Sequence, residues 1–232
     1  MVQKFRESSE LKALLSKHPN WLALKDILEN GASFPLKPIS NQDRKIDLEF
    51  HASRRNHKSA EKYQNALDDI INNDIHRGFA LPLPIDILFE LPGASLAPLG
   101  CINQDTINER GERTKKFRMT HDQSFLGPSQ HSVNERVLKE LLPNCMYSFP
   151  LFRILHYIIS LRSRHHSTKI FISKFDLDSA YRRCHLSGTT AAECLTIHKD
   201  TLLMALRMTF GDHPAPQCGD TFQKPLQTSV IL

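Results

Sequence analysis

The chain has 232 residues, 40% apolar and 24% charged, which is the composition of a polypeptide with one or two domains and a real core. A formal net charge of +5 and a pI near 9.0 favour polyanionic partners without requiring them. Cys101, Cys145, Cys184, Cys194 and Cys218 are odd in number, dispersed and never spaced as CxxC, which argues against a disulfide framework or a zinc site and for a reducing interior. The opening MVQKFRESSELKALL lacks the apolar stretch of a signal peptide, and no run of about 18 uncharged apolar residues could span a bilayer. The expectation is a soluble intracellular protein, cytoplasmic or nuclear, with no membrane partner.

Ser8 and Ser9 can cap a helix carrying Leu11, Leu14 and Leu15 on one face. Pro19 stops it before a second helix that carries Trp21, Leu22, Leu24, Ile27 and Leu28 and ends at Gly31. Residues 32–57 show no clear periodicity and read as a connector, so 1–57 form a helical amino-terminal region. From Lys58, Ala60, Tyr63, Leu67, Ile70 and Ile71 fall at helical spacing up to Gly78, before the proline-punctuated FALPLPIDILFELPG. Leu96–Ile102 and Lys115–Thr120 read as the arms of a hairpin turning at NERGER. Leu151, Ile154, Leu155, Ile158 and Leu161 predict an amphipathic helix between Phe149 and Arg164, with Arg153, Arg162 and Arg164 on other faces. KIFISKFD then reads as a strand ending on Asp176, SAYRR as a short helix, and ECLTIHK and TLLMALR as two strands joined around Lys199 and Asp200.

An apolar strand that delivers a carboxylate into a polar turn puts Asp176 at a sheet edge, where ligands commonly bind. Metal-dependent phosphoryl transfer needs such a firmly held acid, with further carboxylates from other segments. A helix cap formed by Asp176 or Asp178 fits the same residues. Lys116 and Arg118 alternate on one strand and share a face, which suits two cations holding phosphates and equally suits a solvated hairpin arm. His165 and His166 are adjacent, no HxxxH or HExxH pattern occurs among the twelve histidines, and surface positions are expected for them.

KFDLDSAYRR at 174–183 resembles motif A of reverse transcriptases, an aspartate followed five residues on by an aromatic. RMTFGDHPAP at 207–216 resembles their motif B, and TINERGERTKKFRMTHDQSF at 106–125 is similar to the fingers hairpin of retroelement enzymes with its Lys-x-Arg pair. The resemblance covers roughly residues 94–216 and implies an α+β, partial right-hand polymerase fold. Fingers would span 58–168, and the start of the palm 169–232. It also implies that Asp176 and the carbonyl of Leu177 bind Mg²⁺ or Mn²⁺, and that Lys116 and Arg118 grip the incoming deoxynucleoside triphosphate. Tyr181 would be the steric gate against a ribose 2′-hydroxyl, and Phe210 and Gly211 would lie beside the templating base pair. The implied partners are an RNA or DNA template with its primer, held in part by Arg153, Arg162, Arg164, Lys169, Arg182 and Arg183.

The pattern breaks after motif B. The aromatic-x-Asp-Asp of motif C does not occur in the chain, Asp212 stands where a second glycine is common, and the tail QCGDTFQKPLQTSVIL departs from the expected helix. The expectation is a truncated reverse transcriptase that is inactive alone. Two alternatives stand beside it. One is a non-catalytic, basic nucleic-acid-binding remnant. The other is a haloacid-dehalogenase-like phosphatase with Asp176 as nucleophile and Asp178 as acid or base, to which the chain after Asp176 supplies no acidic pair.

Overall fold

A computed structural model describes residues 8–108, 110–142, 150–172, 179, 181–212, 214 and 216. The chain is mixed α+β, with helices around two small antiparallel sheets. Helices α1 (Ser8–Leu15) and α2 (Trp21–Asn30) form a satellite cluster on Leu15, Trp21 and Leu24. Gly31 ends α2 at φ 82°, and a Cβ there would lie 2.6 Å from the backbone of Leu186 and Ser187, so a side chain is excluded by contact as well as by conformation.

The expected connector contains a further helix, α3 (Asn41–Arg54). Ser40 caps it by accepting from the Asp43 N–H at 3.0 Å, while its hydroxyl donates to the Asp43 carboxylate at 2.8 Å. Its buried face is Asp47, Leu48 and His51, two polar residues in three, so apolar periodicity does not reveal it. The single helix expected from Lys58 is two, α4 (Lys58–Lys62) and α5 (Gln64–His76), broken at Tyr63, whose ring packs on Phe117 at 5.2 Å.

Strand β1 (Ala80–Pro84) pairs antiparallel with β5 (Thr201–Ala205), which pairs antiparallel with β4 (Leu195–His198). The order β1-β5-β4 leaves Pro82 and Pro84 on an edge strand, where a missing N–H is tolerated. Strand β5 is the centre of the core. Leu202 joins Leu48, Leu88, Leu96, Leu195 and Ile197 on one side, and Leu203 joins Ala60, Leu67, Ile71, Leu99 and Met119 on the other. The second sheet is the expected hairpin, β2 (Leu99–Ile107) with β3 (Arg113–His121), longer than the sequence suggested. Asn108 closes its turn by accepting from the N–H groups of Arg110 at 3.0 Å and Glu112 at 2.9 Å.

Helix α7 (Gly188–Glu193) ends on a buried polar knot. Arg136, 2% exposed, pairs with Glu193, which also accepts from Arg44 at 3.4 Å and from Ser95 at 2.5 Å. Helix α6 (Pro150–Arg164) forms where it was expected, but Leu151, Ile154, Leu155 and Leu161 are exposed. Residues 169–172 are not a strand: Phe171 is 85% exposed and Ile172 71%. An apolar run becomes a strand only when a neighbour completes its backbone hydrogen bonds, and the expected strand's remaining residues, including Asp176, lie outside the described residues.

Candidate functional site

Hairpin strand β3 carries Lys116 and Arg118, both exposed, with Phe117 between them turned to Tyr63. The same strand ends at His121, whose N–H donates to the Phe210 carbonyl at 3.3 Å. At about 3.3 Å per residue, Arg118 lies roughly 10 Å and Lys116 roughly 17 Å up the strand from that contact. Gly211 follows at φ 119°, and a Cβ there would meet the His121 carbonyl oxygen at 2.0 Å. The close approach that needs this glycine is therefore to the end of β3, a contact the sequence did not disclose.

Tyr181 opens a 3₁₀ turn, Tyr181–Arg183, as the short helix of SAYRR predicts. Its half-buried ring meets the ring of Phe210 edge to face, with centroids 5.5 Å apart and planes at 82°. Phe210 is 49% exposed, so the pair forms a partly open aromatic step at the surface. Tyr181, Phe210 and Gly211 are thus brought together, and β3 runs from them to Arg118 and Lys116. Asp176 and Leu177 lie outside the described residues.

Beneath the step lies a polar cluster that includes residues with no expected role. Arg182 turns inward and its Nη2 donates to the Asp74 carboxylate at 2.7 Å. It was expected among the cations available to a template, and this buried pairing removes it from that set. Burial pushes the Asp74 carboxyl up and the Arg182 guanidinium down, in each case against the attraction of its partner. His121 is buried, and neither ring nitrogen has a hydrogen-bond partner among the described residues. Burial, reinforced by the Arg182 charge, holds it at about 3 and so neutral.

Asp212, in the place of the common second glycine, accepts from the Thr209 N–H at 2.7 Å and the Thr209 hydroxyl at 3.1 Å. Burial pushes it up to about 6, with Thr209 and then the Arg182 charge opposing the shift. Its second oxygen is buried without a hydrogen-bond partner among the described residues. The sequence signal available for Asp212 was its departure from the motif. Asp74 gave no signal, since it sits in the polar end of α5.

The donor set for the implied Mg²⁺ or Mn²⁺ does not come together among the described residues, and Asp176 and Leu177 lie outside them. Among the described residues no group of three or more His, Cys, Asp or Glu side chains is placed to hold a metal ion. Arg162 and Arg164 are exposed, as are His165 and His166. Arg162 donates to the carbonyls of His166 and Thr168, and Arg164 to Ser160. Among the described residues no helix is long and apolar enough to cross a membrane. No protein-family model, no curated protein and no solved structure matches this chain.

Proposed function

We propose that the chain carries part of the fingers and palm of a retroelement reverse transcriptase, with its nucleotide site at the Tyr181–Phe210 step. The observation that supports this most is convergence. Residues from three distant segments, each resembling a different motif of that family, meet at one place: Tyr181 on Phe210 at 5.5 Å, and the Phe210 carbonyl on the end of β3 at 3.3 Å. A half-exposed aromatic step would take the sugar and base of a deoxynucleoside triphosphate. Its polyphosphate would run along the exposed face of β3 toward Arg118 and Lys116.

In the complete enzyme the chemistry would be two-metal nucleotidyl transfer, with Asp176 as one carboxylate holding Mg²⁺ or Mn²⁺. The aromatic-x-Asp-Asp pair is not among residues 1–232, and losing transition-state charge stabilisation of several kcal/mol costs tenfold in rate for each ~1.4 kcal/mol. Residues 1–232 alone should therefore bind a primer–template without extending it. Fluorescence anisotropy with a labelled primer–template should give binding that weakens steeply with salt and falls when Lys116 and Arg118 are both replaced by Ala. Absent or salt-independent binding would refute the reading. Deoxynucleotide incorporation that vanishes in Asp176→Ala would instead refute the claim of inactivity.

A further inference from the structure

Arg182 stands beside Tyr181 in the 3₁₀ turn but points the opposite way, into the protein. Its guanidinium meets Asp74 on α5 at 2.7 Å, with both side chains almost fully buried. The same charge acts on His121 at the end of β3 and on Asp212 in the turn after Phe210. Arg182 also borders a small cavity lined by Asp74, Met119, His121, Thr196 and Leu203. The ion pair therefore ties the element that carries Tyr181 to α5, beside a cavity that the end of β3 also lines. A buried guanidinium is costly unless it is paired, so a shift of the turn that draws Arg182 off Asp74 is penalised.

We propose that the Asp74–Arg182 pair is the positioning device of the aromatic step: it fixes the 3₁₀ turn so that the Tyr181 ring stands against Phe210. The proposal rests on the nucleotide reading only for its consequence, deoxynucleotide selection. The positioning itself rests on the ion pair and the ring contact. Asp212 contributes by shaping the turn through Thr209, and His121 by anchoring Phe210 through its backbone N–H.

The test uses the whole chain and four variants: Arg182→Met, Asp74→Asn, the exchanged pair Asp74→Arg with Arg182→Asp, and Tyr181→Ala. Amide hydrogen exchange reads the position of the step without any ligand. Arg182→Met and Asp74→Asn should speed exchange at residues 181–186 and 208–211 by roughly tenfold or more while leaving β2 and β3 protected, and the exchanged pair should restore part of the protection. Unchanged exchange in Arg182→Met overturns the proposal. So does a uniform loss of protection across the chain that the exchanged pair does not reverse, since that is general unfolding.

Competition of dUTP and UTP for binding, with magnesium and a primer–template, reads the consequence, since the two differ only at the 2′-position. Wild type should prefer dUTP, and Tyr181→Ala and Arg182→Met should both lose the preference. A preference kept in Arg182→Met but lost in Tyr181→Ala overturns the positioning role and leaves the nucleotide site standing. No preference in wild type counts against the nucleotide site, and the exchange data then decide the positioning role alone.

Discussion

Two regions answer the same sequence pattern in opposite ways. Strands β4 and β5 and helix α5 put their apolar residues into a shared core, with Leu67, Leu195 and Leu202 fully buried. Helix α6 has an equally clear apolar spacing, yet Leu151, Ile154, Leu155, Tyr157, Ile159 and Leu161 are exposed, and the run after it leaves Phe171 and Ile172 in solvent. The difference teaches that periodicity specifies which face seeks burial, whereas stability comes only where a second surface meets that face. The Tyr181–Phe210 step sits on the packed side of this divide, held by Asp74, Arg182 and the end of β3.

The largest expected effect sharpens the contrast from the packed side. Glu193→Ala leaves the buried Arg136 without its carboxylate and weakens the hold on Arg44, and should cost about 3–5 kcal/mol in urea unfolding. A cost below about 1 kcal/mol would mean that the Arg136–Glu193 knot is looser than its hydrogen bonds imply.

Acid should separate two members of the cluster by sign. His121 sits at about 3, below its ordinary 6.5, so the unfolded chain binds the extra proton and stability is lost as pH falls from about 6.5 toward 3. Asp212 sits at about 6, above its ordinary 3.8, so the folded chain binds the extra proton and stability is lost as pH rises from about 4 to 6. Relative to wild type, His121→Gln should therefore gain in Tm as pH drops from 6.5 to 4. Asp212→Asn should gain as pH rises across the same range. Parallel Tm curves for wild type and both variants would contradict the buried cluster.

The smallest effect tests the open side. Ile159→Asn, at an exposed apolar site of α6, should change stability by no more than about 0.5 kcal/mol. A loss above about 2 kcal/mol by thermal denaturation would show that this face is covered in solution.

Much of the fold was legible in the sequence. The hairpin, the β4–β5 pair and α6 follow from alternation or helical spacing within short windows, and β5 is recognisable because consecutive apolar residues fill both sides of a central strand. Helix α3 escaped because its buried face holds Asp47 and His51, although the Ser40 and Asp43 spacing was a usable cap signal. The strand expected into Asp176 does not form at residues 169–172, the part that is described, and local pattern does not report whether a neighbouring strand is there to pair. At the candidate site, Lys116, Arg118, Tyr181, Phe210 and Gly211 were named from motifs. The Asp74–Arg182 pair was not, because it joins positions 108 residues apart and neither residue looks unusual in its own segment. His121 was hidden for the same reason, and Asp212 was marked only by its departure from the motif, since burial is a property of the assembled core.

Tyr181, Phe210 and the β3 cations are proposed to form the nucleotide site of a reverse transcriptase. The most direct test of this proposal is to sequence the transcript beyond the codon for Leu232 and read it in all three frames. An aromatic-x-Asp-Asp motif is expected in one of those frames, a carboxylate pair not found among residues 1–232. A transcript with no such motif in any frame would contradict the proposal and leave a basic nucleic-acid-binding remnant as the better description.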